Sequence, residues 1–166
     1  GRYDDADNIL HDAESQDLQA TAELEDQLNT RKMTAAASAY ARGDLAFTRL
    51  KYQDAANHFL RASRHYPNTA HKHRIEALNM SGLAFREAAE FKPAEDAFDQ
   101  AHDLADNHLG KTAPLTATVL NKLSQIYKAT NRLGEAEPLM ERVVKIFETS
   151  HGTDHGRVAT ALNNLA

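Results

Sequence analysis

The stretch that decides the fold is residues 116–166, TATVLNKLSQIYKATNRLGEAEPLMERVVKIFETSHGTDHGRVATALNNLA, because it contains one complete two-helix unit and the start of its copy. Leu120, Leu123, Ser124 and Tyr127 recur at positions i, i+3, i+4 and i+7. That spacing places four side chains on one stripe of an α-helix. The first part of the stretch therefore predicts an amphipathic helix.

A second helix follows in the same stretch. Residues 131–134 interrupt the first pattern, and Ala136, Met140 and Val143 then form a second stripe. The string ATALNNLA at 159–166 repeats the first stripe 42 residues downstream of it. A repeat of this length with two helices per unit is the signature of a helical solenoid. We therefore expect an all-α solenoid built from antiparallel helix hairpins.

The composition agrees with a helical chain and excludes several kinds of site. Alanine is abundant, whereas the 166 residues contain only 7 glycines and 4 prolines. The absence of cysteine excludes disulfides, thiolate zinc sites and cysteine nucleophiles. It fits a reducing compartment, and no signal-peptide pattern precedes the first helix, so we expect a cytoplasmic protein.

The net charge of −5 is distributed in blocks along the chain. Counting Lys and Arg against Asp and Glu gives −8 for residues 1–30, +7 for 31–74, −6 for 75–110 and +2 for 111–166. Alternating signs along a stack of repeats let each unit attract its neighbours. We interpret the blocks as complementarity between adjacent repeats.

The hairpin pattern divides the chain into one array. Tyr3, Ala6, Leu10 and Ala13 have the spacing of a second helix, and a break at 15–17 separates them from a long helix of about 33 residues. We therefore expect a second helix of a truncated repeat at 1–16, a repeat at 18–67 whose first helix extends over 18–50, repeats at 70–109 and 113–150, and a first helix of another truncated repeat at 155–166.

Small residues mark the expected close contact between the two helices of each unit. Gly43, Gly82, Ser124 and Ala166 are separated by 39, 42 and 42 residues. In the first full repeat, a small residue, an aromatic, Ala, Phe, Ala and Pro follow one another at Gly43, Tyr52, Ala55, Phe59, Ala62 and Pro67.

This order resembles the tetratricopeptide repeat, and the 42-residue spacing resembles the repeats of kinesin light chains and their bacterial relatives. The resemblance covers nearly the whole chain, although Arg42 stands where that family usually has leucine. It implies a right-handed superhelical solenoid of about three repeats. The truncated repeats contribute an additional helix at each end.

The resemblance also implies a concave groove, lined by the first helices, that binds a peptide through asparagine side chains. An amide offers one donor and one acceptor group, so it can pair with any peptide backbone. Asn79, Asn121 and Asn163 share one repeat position, and Tyr40 holds that position in the first repeat. The alternative is that these asparagines only cover a solvated helix face. Further residues of the expected groove are Arg86, Lys122, Gln125 and Lys128.

These side chains predict an amide-lined, mildly basic groove suited to an acidic peptide or a free carboxylate. The function expected from the resemblance is a protein–protein interaction module, as a regulatory or scaffolding segment of a larger multidomain protein. Two alternatives remain open. Basic and aromatic residues alternate over 31–74 in the manner of single-strand nucleic-acid binders, and the helices at both ends could mediate self-assembly.

The sequence gives only weak signals for a nucleotide-binding, metal-binding or catalytic site. Gly110, Lys111 and Thr112 imitate the end of a phosphate-binding loop, but its first glycine is replaced by Ala105. The nine histidines, including the pairs at 71/73 and 151/155, lack a third ligand at metal-binding spacing. No catalytic motif is present. We therefore expect no enzyme, no cofactor and no metal ion.

Overall fold

The computed structural model describes residues 2–151 and 156–165, and these residues are almost entirely helical. Each helix packs against the next along the chain, and the third also touches the fifth. The prediction of an all-α solenoid of antiparallel hairpins is confirmed. The helices are α1 (Arg2–Thr48), α2 (Tyr52–His65), α3 (His71–Glu87), α4 (Phe91–His108), α5 (Pro114–Ala129), α6 (Leu133–His151) and α7 (Gly156–Leu165).

The first two hairpins close where a glycine meets a phenylalanine ring. A Cβ atom added to Gly43 would lie 2.6 Å from the Phe59 ring, and one added to Gly82 would lie 2.8 Å from the Phe98 ring. Both rings are fully buried. In the third hairpin the equivalent residue is Ser124, whose hydroxyl oxygen lies 2.8 Å from Met140 Sδ. A small residue at this position therefore lets the two helices of each unit approach closely.

The turn inside each hairpin repeats the same backbone geometry. Leu50, Ala89 and Asn131 all adopt left-handed conformations, with φ of 58°, 61° and 59°. A residue in this conformation just after a helix ends the helix and aims the chain backward. In each case the next amide donates to a carbonyl five residues earlier, giving the bonds Lys51 to Ala46, Glu90 to Phe85 and Arg132 to Tyr127.

Polar contacts join one repeat to the next. The buried Ser81 hydroxyl of α3 donates to the Ala56 carbonyl of α2 at 2.9 Å. Arg132 donates to Glu95 at 2.8 Å and to Glu135 at 2.7 Å, which ties α4 to the turn before α6. Glu95 is nearly buried, so this pairing satisfies a carboxylate that is largely withdrawn from water. The stack of repeats thus depends on specific bonds as well as apolar packing.

The N-terminal part differs from the expectation. Residues 2–48 form a single helix, with no break at 15–17 separating a second helix at 1–16 from a helix at 18–50. Strong helix formers fill this part of the sequence, which has no glycine or proline between residues 2 and 42. The Thr21 hydroxyl donates to the Asp17 carbonyl within the helix instead of Asp17 capping a new one. Residues 5–32 are all exposed.

At the other end, α7 packs against α6 through the buried side chains of Val158 and Ala161. The predicted close-contact residue Ala166 and residues 152–155 lie outside the described part of the chain. Among the helices described, none is long and apolar enough to cross a lipid bilayer.

Replacing the close-contact glycines is expected to destabilise the protein. Gly43→Ala and Gly82→Ala each force a buried phenylalanine ring to move, which should lower the free energy of unfolding by about 1–3 kcal/mol despite alanine's better helix propensity. Urea unfolding followed by circular dichroism measures the change. Gly134→Ala is the control, because the added Cβ at Gly134 meets no atom within 4 Å. It should be neutral or stabilising by about 0.5 kcal/mol.

Equal stability of Gly43→Ala and Gly134→Ala would show that the ring contact does not limit the helix approach.

Candidate peptide-binding groove

The expected groove residues meet where α3 and α5 lie side by side. Arg86 Nη1 on α3 donates to Gln125 Oε1 on α5 at 2.7 Å. The same guanidinium donates to Glu87 Oε1 through Nη2 at 2.6 Å and through Nε at 3.2 Å. Two first helices of successive repeats are therefore joined by polar side chains at their surface, as a shared groove requires. We call Arg86, Glu87, Lys122 and Gln125 the α3–α5 polar cluster.

Lys122 is the member of the α3–α5 polar cluster whose pKa is shifted by its surroundings. Burial lowers its pKa, and the positive charge of Arg86 lowers it further, while Glu87 acts in the opposite direction. The ammonium group thus lies close to a second cation and is partly withdrawn from water. An additional carboxylate at this point would relieve the repulsion between the two cations.

Asn79 lies two helical turns before Arg86 on α3 and is half-buried. Its Oδ1 atom is buried and has no hydrogen-bond partner in the described part of the chain. A buried amide acceptor without a partner is unfavourable. Rotation of this side chain toward a ligand would therefore break no bond to Oδ1 and could give it a backbone N–H to accept from.

The other two asparagines differ in exposure. Asn121 on α5 is half-buried, like Asn79, and its backbone carbonyl accepts a hydrogen bond from the Ser124 hydroxyl at 2.9 Å. Asn163 on α7 is exposed. Lys128, two turns after Asn121, is exposed near the end of α5. The structure thus brings Arg86, Lys122 and Gln125 into one cluster, whereas Asn163 belongs to a separate helix farther along the array.

Tyr40 has a packing role that the sequence did not indicate. Its ring meets the Phe59 ring edge to face, with centroids 5.0 Å apart. Burial raises the pKa of its phenol, and the carboxylates of Asp44 and Glu76 raise it further. Because Glu76 belongs to α3, Tyr40 lies near the boundary between the first two repeats. Any contact of Tyr40 with a ligand would involve a residue that also supports the core.

Glu87 is the groove residue that sequence reasoning missed. Adjacent residues on a helix normally point in different directions, so Arg86 and Glu87 gave no signal of pairing. They nevertheless pair here, at the C-terminal end of α3. The cluster consequently carries two cations and one anion, which makes it less basic than its cations alone suggest.

The aromatic residues of the basic segment 31–74 are buried or half-buried, and none is fully exposed. Phe59 is fully buried, and Tyr66 is 8% exposed. Phe47 and Tyr52 pack edge to face, with centroids 5.2 Å apart. Stacking of nucleobases requires exposed ring faces. The segment therefore offers cations at its surface, while its rings serve the packing of the hairpin.

Two of the histidines in the described part of the chain form a close pair. The rings of His71 and His108 stack with centroids 3.6 Å apart, between the start of α3 and the end of α4. Burial lowers the pKa of His71, and the neighbouring His108 and Arg74 lower it further. Within residues 2–151 and 156–165, no three histidine or carboxylate side chains are grouped so that they could hold a metal ion.

Comparison with known proteins gives one family and several similar folds. Residues 73–149 and 115–166 match the family described as tetratricopeptide repeat. The chain is 32% identical over 90 residues to Protein KINESIN LIGHT CHAIN-RELATED 2 of Arabidopsis thaliana. That match includes 54% of this chain but only 14% of the plant protein, so it concerns a small part of that relative.

Solved structures show the same architecture at low sequence identity. BtubC (BKLC) from P. vanneervenii superposes with a TM-score of 0.72 at 16% identity, over 91% of this chain and 61% of that one. The N-terminal domain of stress-induced protein-1 (STI-1) from C. elegans superposes with a TM-score of 0.63 at 16% identity, over 81% of this chain and 98% of that domain. At such identities the likeness concerns the fold alone.

The pKa of Lys122 provides a test of the geometry of the α3–α5 polar cluster. Replacing Arg86 by methionine removes the nearby positive charge and should raise the pKa of Lys122, whereas Glu87→Gln removes the nearby negative charge and should lower it further. Lysine side-chain NMR of the reductively methylated protein measures both shifts. Lys122→Arg identifies the signal. If both substitutions moved the Lys122 pKa in the same direction, the cluster would not have the described geometry.

Proposed function

This chain belongs to the tetratricopeptide repeat family, and on that premise we propose that it binds a peptide segment of a partner protein in the groove formed by α3, α5 and α7. Repeats of this family generally serve as non-enzymatic modules for protein–protein interaction. The observation that supports the proposal most directly is the α3–α5 polar cluster, because Arg86 and Gln125 meet across two successive first helices.

The asparagines supply backbone recognition in this proposal. Each amide can donate to a carbonyl and accept from an N–H of an extended or helical peptide, whatever the peptide's sequence. Asn79 favours this role because its buried Oδ1 lacks a partner among the described residues. Asn121 and Asn163 repeat the same position along α5 and α7.

The charges of the groove favour a ligand with acidic side chains or a free carboxylate. Lys122 and Arg86 lie close enough for each positive charge to oppose the other. An incoming carboxylate would reduce that repulsion and compete with Glu87 for the guanidinium of Arg86. Lys128 at the end of α5 extends the cationic surface in the same direction.

Such a module fits a regulatory or scaffolding segment within a larger multidomain protein. The chain spans only a small fraction of its plant relative and less than two thirds of BtubC. A groove that recognises a peptide gives the remaining parts of a protein their location or their partner.

Nucleic-acid binding through residues 31–74 is the competing outcome that the experiment must distinguish. The exposed cations of this segment, including Arg31, Lys32 and Arg42, would act mainly through phosphates, because no aromatic ring of the segment is fully exposed for stacking. Binding of that kind falls steeply with salt and does not depend on Asn79 or Asn121.

We expect the groove asparagines to determine peptide affinity. The chain would first be screened against an array of synthetic peptides, acidic and neutral, each with a free and an amidated C terminus. For a peptide that binds, Asn121→Ala should weaken binding by about 1–3 kcal/mol, because it leaves a peptide group without its partner. The triple variant Asn79→Ala, Asn121→Ala and Asn163→Ala should weaken it further. Isothermal titration calorimetry measures each affinity.

The matched control replaces two exposed asparagines on second helices, Asn57→Ala and Asn107→Ala. Equal loss of affinity in the control and the triple variant would remove the groove from the proposal. Retention of a single-stranded oligonucleotide by the triple variant, without any peptide binding by the wild type, would favour the nucleic-acid reading.

A further inference from the structure

A second groove lies between α1 and α2, on the side of the first hairpin that faces away from α3. Two adjoining depressions of about 200 and 220 Å³ share Arg42 as a lining residue. Small residues form the α1 wall, among them Ala35, Ala39 and Ala46. Arg49 and Arg61 add further positive charge. We call this surface the α1–α2 groove.

The equivalent position in the next repeat indicates what kind of element would fit the α1–α2 groove. At the next junction, Ser81 of α3 donates to the Ala56 carbonyl of α2, so the residue before the close-contact glycine faces the preceding second helix. In α1 the residue before Gly43 is Arg42. By this equivalence Arg42 faces the place that a preceding second helix would fill, running antiparallel to α1.

A segment with the matching pattern is present in the same chain. Tyr3, Ala6, Leu10 and Ala13 have the same spacing as Tyr52, Ala55, Phe59 and Ala62 of α2. Ala6, Leu10 and Ala13 are exposed, Leu10 by 68%, so this part of the apolar stripe is uncovered. This pattern lies within the acidic block of the chain, residues 1–30, which has nine carboxylates and one arginine. We call residues 1–30 the acidic segment.

The acidic segment cannot occupy the groove of its own molecule in this structure. It continues without a break into the part of α1 that forms the groove wall, so it points away from that wall along the same axis. A second molecule removes this restriction. Exchange of an identical element between two copies is a common route to symmetric dimers.

We propose that two copies of this chain form an antiparallel dimer in which the acidic N-terminal segment of each α1 fills the α1–α2 groove of the other. The register follows from the repeat equivalence. Ala56 corresponds to Asp7, just as Ser81 corresponds to Arg42, so Asp7 of one copy faces Arg42 of the second copy.

Continuation of this register along α1 pairs further opposite charges. Asp17 of one copy comes beside Arg31 and Lys32 of the second, and the two-fold axis passes near Leu24. All three charged residues are exposed in the monomer. The register therefore places residues 1–18, with six carboxylates and one arginine, against residues 31–48, with three cations and one carboxylate.

Four apolar residues and Arg42 satisfy a geometric requirement of this pairing. A two-fold antiparallel dimer needs both halves of α1 to present the same side of the helix. Leu10, Leu24, Leu28, Ala35 and Arg42 are separated by 14, 4, 7 and 7 residues. Such intervals keep all five on one side of a helix. The side that lines the groove is thus the side that carries the exposed leucines.

The first experiment measures mass and its dependence on charge. Light scattering after gel filtration should give about twice the 18.4 kDa of one chain, falling toward the monomer mass as salt is raised. Arg42→Glu should raise the dissociation constant of the dimer at least about tenfold, and Asp7→Arg should have a similar effect. Combining the two should restore much of the affinity. Arg64→Glu, an exposed cation of α2 outside the α1–α2 groove, is the control.

The second experiment tests the antiparallel register directly. The chain has no cysteine, so single cysteines can be introduced without interference. A D7C chain mixed with an R42C chain in a glutathione buffer should form a disulfide between the two variants in preference to either homodimer. Preferential D7C homodimers would instead indicate parallel helices and overturn the proposal.

A monomer mass at high concentration, with helix content unchanged by circular dichroism, would also overturn the dimer. Equal weakening by Arg64→Glu and Arg42→Glu would remove the α1–α2 groove from the interface. Neither experiment alters the α3–α5 polar cluster, so the test of the dimer is independent of the test of peptide binding.

Discussion

The close approach of two helices inside each hairpin is the contact on which the rest of the structure depends. Gly43 and Gly82 lie against the faces of Phe59 and Phe98, and Ser124 lies against Met140. A buried ring packed against helix backbone fixes both the separation and the rotation of the pair. Since the same contact recurs along the chain, every hairpin presents its first and second helices in the same way. The solenoid follows from this repetition.

Alignment of the first helices gives the surface its chemistry. Once α3 and α5 are neighbours, Arg86 reaches Gln125 and its charge reaches Lys122. None of these residues is unusual on its own helix. Their combination produces a partly buried cation pair with one carboxylate, which favours a further anion. Stacking of successive repeats thus brings side chains that are distant in the sequence into one polar cluster on two helices.

The sequence predicted the hairpins because their contacts are local and periodic. The positions of the small residues, the apolar stripes and the turn residues all follow from intervals of 39 and 42 residues. The site was predictable only in part. Arg86, Gln125 and Lys122 share a face by spacing, but Arg86 also pairs with the adjacent Glu87, which helix periodicity does not predict. The unpaired Oδ1 of Asn79 depends on neighbours in space that no interval reveals.

In the N-terminal helix, local helix propensity and the tertiary packing pattern favour different arrangements. The spacing of Tyr3, Ala6, Leu10 and Ala13 is that of a second helix, whereas the residues that connect it to the groove wall include no glycine or proline and allow the helix to continue. Within one molecule the continuous helix prevails, and Leu10, Leu18 and Leu24 stay more than 60% exposed. A helix in water gains most of its stability from packing of an apolar face. Pairing with a second copy satisfies both preferences, because the helix remains unbroken while its second-helix pattern reaches an α1–α2 groove.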